Sequence, residues 1–206
     1  FFASAKFGTV QVAGRGESDA FIAAYNTAGK LQWIRQYGSK SKDCPESMAI
    51  DIKGDIYLTA YFTDTCTANG KKLVGDNLIK LNAKGDIIWS THIGVGEKEF
   101  YINSFVAVDN KGYSYLTGYY YRSMVLLGEK VLAPGGSANI YIAKCGPDGK
   151  KIWLATLGNN GVDEGKAICV DNNANIYVTG YYHQNINFGN KILLLPPESN
   201  DDGMFV

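Results

Sequence analysis

Three tryptophans, Trp33, Trp89 and Trp153, each stand four residues after one glycine (Gly29, Gly85, Gly149) and five before another (Gly38, Gly94, Gly158). A second segment, Ala49-Ile50-Asp51 through Tyr61-Phe62, returns without a gap at Ala107 to Tyr120 and at Cys169 to Tyr182. Asp51, Asp109 and Asp171 match across the copies, as do Tyr57, Tyr115 and Tyr177, and Thr59, Thr117 and Thr179. A period of this length belongs to an array of supersecondary units, each too small to bury its own apolar faces, so neighbours must pack on one another.

Each unit holds β-rich runs of about five to seven residues separated by Gly, Asn and Asp clusters, with no helical period. In the second unit the expected strands are 47–52, 55–62, 77–82 and 86–93, joined by turns at Lys53-Gly54 and Ala83-Lys84-Gly85. Ile56, Leu58 and Phe62 fall on one face of a strand and Tyr57 and Tyr61 on the other, so both faces need cover. Radially stacked four-stranded sheets supply it, and the pattern predicts an all-β fold, a β-propeller of four-stranded antiparallel blades with about three and a half repeats present. The units fall near residues 1–46, 47–103, 104–165 and 166–206 of a single domain, with thirteen strands expected.

Twenty basic residues balance twenty acidic ones, so no charge field nominates nucleic acid or an anionic membrane as partner. Apolar runs such as Ile192 to Leu195 are far below the ~20 residues of a spanning helix, so no direct membrane insertion is expected. The chain opens on Phe1-Phe2, and Asn187-Phe188-Gly189 through Val206 resembles Lys6-Phe7-Gly8 through Ala23, so both ends sit at nearly the same phase of the repeat. The expectation is a piece of a larger propeller, or one whose open ends a partner chain covers.

Asp19-Ala20-Phe21-Ile22-Ala23-Ala24-Tyr25-Asn26, Gly29-Lys30-Leu31-Gln32-Trp33, Ala49-Ile50-Asp51 and Ile56-Tyr57-Leu58-Thr59 together resemble the bacterial β-propeller repeat called SBBP. Ile142-Ala143-Lys144, Asp148-Gly149-Lys150 and Ile176-Tyr177-Val178-Thr179-Gly180-Tyr181 keep the pattern. The resemblance implies a module of large secreted or cell-surface bacterial proteins, periplasmic or extracellular, with a protein or glycan interaction role such as adhesion. It brings no catalytic motif and no cofactor. The Gly-Lys-x-x-Trp hairpins are also similar to the tryptophan-docking segments of quinoprotein dehydrogenases and outer-membrane assembly lipoproteins.

The repeated aspartates sit at hairpin mouths, where a short acceptor closes the turn, so they read as structural. His92 and His183 have no neighbouring pattern of a triad or zinc site. Paired carboxylates at Glu97 and Glu99 and at Asp201-Asp202 read as solvated loop charges. Cys44 and Cys66 flank a strand pair and are a candidate disulfide, while Cys145 and Cys169 read as buried thiols. The fourteen tyrosines include a recurrent core set and a set at strand ends. Tyr119, Tyr120, Tyr121, Tyr181, Tyr182 and His183 form the candidate contact surface, with the Ala133 to Ser137 insert and the Cys44 to Cys66 segment as candidate binding loops. The expected function is non-enzymatic binding or scaffolding; the alternative, a quinoprotein-like, lyase or hydrolase propeller, calls for acids and bases at the axial ends of the innermost strands.

Overall fold

The computed structural model describes residues 1–95, 102–133, 138–188, 191–194 and 203–206. The described residues are all β, with nineteen strands and antiparallel pairing between them. Two hairpins come first, β1 (Ser4–Phe7) with β2 (Val10–Ala13) and β3 (Ala20–Tyr25) with β4 (Leu31–Tyr37). A meander of β5 (Asp43–Ile50), β6 (Ile56–Ala68), β7 (Lys71–Leu81) and β8 (Ile87–Val95) follows.

The next sheet has the order β9-β10-β13-β14, built from β9 (Asn103–Val108), β10 (Ser114–Tyr120), β13 (Asn139–Cys145) and β14 (Lys151–Leu157). Between β10 and β13 the chain inserts a hairpin, β11 (Met124–Leu126) and β12 (Glu129–Val131). The last sheet joins β15 (Glu164–Val170), β16 (Ile176–Tyr182) and β19 (Gly203–Phe205), again with an inserted hairpin, β17 (Ile186–Phe188) and β18 (Lys191–Leu193).

The inserted hairpin explains why the structure holds more strands than the thirteen expected. It occurs as β1–β2, β11–β12 and β17–β18, and in the second unit it is fused into the far ends of β6 and β7. There the pairing slips at a bulge between Phe62 and Cys66 and resumes to a turn at Asn69-Gly70, with φ of 49° and 70°. Two successive positive φ values are the signature of a tight hairpin turn whose twist matches the strands. The β11–β12 hairpin reaches across to the preceding sheet, where Val125 and Leu126 pair with Val95 and Gly94 of β8. It therefore covers an outer edge that would otherwise present unpaired backbone.

Successive sheets pack face to face through apolar layers. Ile22, Trp33 and Tyr37 meet Ile56, Leu58, Phe62, Leu81 and Ile87 in the first layer. Tyr57, Leu78 and Trp89 meet Val106, Leu116, Tyr120 and Tyr141 in the second, and Ile140, Ile142 and Leu157 meet Val178, Tyr182 and Phe205 in the third. The two faces of β6 thus serve different neighbours, as its alternation of Ile56 and Leu58 with Tyr57 predicts.

A recurring contact ties each sheet to the next. A side chain at Gly85 would lie 3.1 Å from Trp33 Cζ3, and one at Gly149 would lie 2.9 Å from Trp89 Cε3, so each indole rests on the turn glycine of the following sheet. The lock is finished with hydrogen bonds: Tyr37 Oη donates to the Gly85 carbonyl, Trp89 Nε1 to that of Pro147 at 2.9 Å and Thr91 Oγ1 to that of Gly149 at 2.8 Å. Both glycines have φ near +80°, a region closed to most side chains, so the turn and the stacking place the same demand on the residue.

Candidate functional site

At one end of the first strands of the sheets, a cleft of about 370 Å³ is lined by Lys42, Cys44, Pro45, Glu46, Tyr61, Asn103 and Phe105. It lies where β5 and β6 face β9. Glu46 is the extra residue at a bulge between Pro45 and Ser47, which turns its carboxylate across the gap to accept from Ser104 N at 2.9 Å. Ser104 Oγ in turn accepts from Tyr141 Oη at 2.6 Å.

A second acid stands behind this contact. Asp76 is opposite Tyr61 in register and buried, and its Oδ1 accepts no hydrogen bond from the described residues. Burial pushes Glu46 up to about 8, with the charge of Asp76 adding to the effect, and burial pushes Asp76 up to about 7. Burial and both acids likewise hold the Tyr141 phenol well above its ordinary range. An acid pair of this kind disfavours two simultaneous charges, so near neutral pH the pair retains a proton.

The candidate tyrosines divide between the two faces of their strands. Tyr119 accepts from Asn103 Nδ2 at the cleft and meets Tyr121 edge to face, with ring centroids 5.7 Å apart. Lys166 Nζ lies 5.0 Å from the Tyr119 ring and 5.1 Å from the Tyr181 ring, and pairs with Glu164. Tyr119, Tyr121, Lys166 and Tyr181 therefore form one aromatic and cationic row running on from the cleft, in which Tyr119 is itself buried, against the expectation of an exposed ring, and Tyr121 and Tyr181 are half-buried. Tyr120 and Tyr182 point the other way into the apolar layers and offer no surface, because strand alternation sends neighbours to opposite faces.

His183 is half-buried beside the row, and its backbone is its structural handle: its N–H donates to Asp163 Oδ1 at 3.0 Å and its carbonyl accepts from Asn159 Nδ2 at 2.6 Å. His92 is exposed on β8, opposite Asn77 in register, and belongs to no metal-binding cluster of three among the described residues.

The candidate disulfide is not present, since Cys44 and Cys66 are both free thiols. Cys44 lines the cleft on the face of β5 that looks to β9, whereas Cys66 is buried in the layer against β3 and β4, on the opposite face of the sheet. Cys145 is buried as expected, but Cys169 is exposed, because no described element packs on that side of β15. Of the Ala133 to Ser137 insert, residues 134–137 lie outside the described residues, as do Glu97, Glu99, Asp201 and Asp202. The repeated aspartates close their turns: Asp51 Oδ1 accepts from Lys53 N and Asp55 N at 2.9 and 3.0 Å, and Asp109 and Asp171 do the same.

Sequence reasoning missed Glu46 and Asp76. The signal was a departure from the repeat: Asp76 stands where the other units carry Ala20, Ile140 and Met204, and Glu46 where they carry Ser104 and Lys166.

Residues 32–61 match the SBBP family, described as a beta-propeller repeat, and the match runs from β4 through β5 into β6. An uncharacterized WD repeat-containing protein of Acanthamoeba polyphaga mimivirus is 21% identical over 212 residues, covering 86% of this chain and 15% of that protein. The chain thus spans a small part of that relative's length. It carries an SBBP-type repeat, and Trp33 and Tyr57 both lie within the matched segment.

Proposed function

We propose that the chain is an arc of four-stranded propeller blades that works as a non-enzymatic binding or scaffold module of a secreted or cell-surface bacterial protein. In this reading the meander β5–β8 and the sheet β9-β10-β13-β14 are whole blades, and the inserted hairpins are clasps between them. The propeller repeat at residues 32–61 supports the scaffold, and the relative's WD-repeat description is compatible with a protein-interaction role. The extracytoplasmic location rests on the resemblance to SBBP proteins, and fractionation of cells producing the full gene product tests it.

The observation that carries the binding role is the row of Tyr119, Tyr121, Lys166 and Tyr181 beside the cleft. Aromatic rings with a cation between them suit a sugar face or a peptide with acidic and aromatic groups. Tyr121→Ala and Tyr181→Ala are expected to lower retention of a glycan or envelope protein by about tenfold or more, as loss of an aromatic hot spot does. A glycan array and pull-down from envelope extracts measure this; retention unchanged in both variants would sink the proposal.

A second reading has one specific observation in its favour. Glu46 on β5 and Asp76 on β7, opposite the cleft residue Tyr61, put two carboxyls of raised pKa together at the cleft, as a hydrolase or lyase propeller would need. Turnover of a bound glycan that Glu46→Gln abolishes without loosening its binding would establish the enzyme; retention without turnover supports the module.

A further inference from the structure

Glu46 and Lys166 are the same structural device with opposite charge. Each is the extra residue at a bulge in the first strand of its sheet, Glu46 between Pro45 and Ser47 and Lys166 between Gly165 and Ala167. The first strand of the intervening sheet, β9, pairs with β10 from Asn103 to Val108 without a bulge. The second strand of each sheet carries a tyrosine at one fixed register: Tyr61 opposite Cys44, Tyr119 opposite Asn103 and Tyr181 opposite Glu164. Between Tyr119 and Tyr181 the bulge of β15 delivers the Lys166 ammonium, 5.0 and 5.1 Å from the two rings, with Glu164 as its carboxylate. Between Tyr61 and Tyr119, β9 has no bulge residue to deliver. There the cleft of about 370 Å³ opens, with Tyr61, Asn103 and Phe105 in its wall.

The acids of this second gap lack a counter-charge. The Glu46 carboxylate accepts from Ser104 N, and Asp76, 4% exposed, leaves Oδ1 without a hydrogen-bond donor among the described residues. Residues directly opposite on neighbouring strands share a face, so Cys44, Tyr61 and Asp76 form one cross-strand row on the side of the sheet that looks to β9. Cys44 and Tyr61 already line the cleft. Lys42 is exposed at its mouth, and among the described residues no ion pair joins it to either acid. Buried Asp51, by contrast, has Lys80 Nζ at 3.8 Å. Two carboxyls buried together without a cation are costly, and their raised affinity for protons is the response to that cost. The blade itself does not call for the second acid, since Asp76 stands where the other units carry Ala20, Ile140 and Met204.

We propose that the cleft binds the primary ammonium group of a small ligand, an amino sugar or an alkylamine, which takes in this gap the part that Lys166 plays in the next. Glu46 supplies the charge-assisted acceptor at the wall, Asp76 the second negative charge behind it, and Tyr61 and Phe105 the aromatic faces. A volume of about 370 Å³ is near the lower end of the roughly 300–1,000 Å³ of small-ligand sites, so the carrier is one sugar ring or a short chain. A hydroxyl or N-acetyl analogue of the same shape brings no charge to offset the acids, and the site discriminates against it. The inference rests on the reading of this region as the contact surface and names the chemical group that its cleft takes.

Titration of the 206-residue chain with glucosamine and with n-butylamine, followed through the amide resonances of Asn103 and Ser104, tests it. The expected result is saturation by at least one amine with a Kd of about 1 mM or tighter, the tighter of the two identifying the carrier. Glucose and N-acetylglucosamine are expected to shift neither amide at the same concentrations. Glu46→Gln keeps an acceptor for Ser104 N but removes the charge, and is expected to raise Kd about tenfold or more with the circular dichroism spectrum unchanged. Asn103→Lys places the chain's own ammonium at the cleft wall. It is expected to abolish amine binding and to raise the denaturation midpoint at pH 8, where the two acids ionise. No saturation by either amine, equal binding of the neutral sugars, or binding unchanged in both Glu46→Gln and Asn103→Lys would each overturn the site. Amine binding by a chain that retains no glycan or envelope protein would leave the site standing and remove the functional reading, and retention through Tyr121 and Tyr181 without amine binding would do the reverse.

Discussion

Glu46 and Asp76 make stability depend on pH in a direction opposite to that of most carboxylates. Both bind a proton more tightly in the folded chain, about 8 against 4.5 for Glu46 and about 7 against 3.8 for Asp76, so the native state holds more protons across that interval. The contribution of these two groups to stability is complete below about pH 4 and is lost as pH rises toward about 8, where both carboxyls ionise in the fold. Urea midpoints measured across this range are expected to decline in the native chain and to decline less in Asp76→Asn. Ala174 is a second telling residue. It takes φ of 63° in the turn where Gly54 and Gly112 stand, a conformation that costs a non-glycine residue about 1 kcal/mol or more. Ala174→Gly is expected to raise stability by about 0.5–1 kcal/mol after the extra freedom of glycine in the unfolded chain is subtracted, a change read as a higher denaturation midpoint. The thiols report the packing directly: burial raises Cys66 and pushes Cys145 up to about 12, so alkylation of the native chain is expected at Cys169 and Cys44 and not at these two. Burial of Cys145 was legible from its place in the repeat, whereas Glu46, Asp76 and Ala174 depart from the repeated pattern and are visible only once a position is compared across units for what differs.

The strands themselves were legible because alternation and turn glycines recur at fixed phase. The core of each expected strand in the second unit is present, and Asp51, Asp109 and Asp171 close the turns assigned to them. The inserted hairpins were not anticipated, although Asn69-Gly70 is a strong local sign of a two-residue turn and Gly128 ends another at φ of 77°. Their strands are three or four residues long where free-standing, too short for periodicity to register, and in the second unit the hairpin hides inside longer strands. The faces of the two cysteines follow from alternation instead: Cys44 is opposite Tyr61 in register, while Cys66 keeps the face of Phe62 across a bulge of two extra residues. The sheet-to-sheet lock gives the element scale its own prediction. Gly85→Ala would force a side chain into the left-handed region and against Trp33, and is expected to cost about 2–3 kcal/mol in chemical denaturation. Trp89→Ala is expected to cost about 2 kcal/mol, with the indole half-buried and one hydrogen bond lost.

At the scale of the whole molecule, the apolar layers run from one sheet to the next without a central core shared by all. Stability in such an array is a sum of unit terms and nearest-neighbour terms. The hairpin β11–β12 changes that arithmetic, because it leaves its own sheet and hydrogen-bonds to β8 of the one before, while Leu127 N donates to the Ile93 carbonyl. Neither sheet can melt without releasing residues that belong to the other. Amide hydrogens on β8 and on β10 are therefore expected to exchange through a single shared opening, and a chain pulled at its ends would give up these two sheets in one step while the half-sheets at either end detach singly.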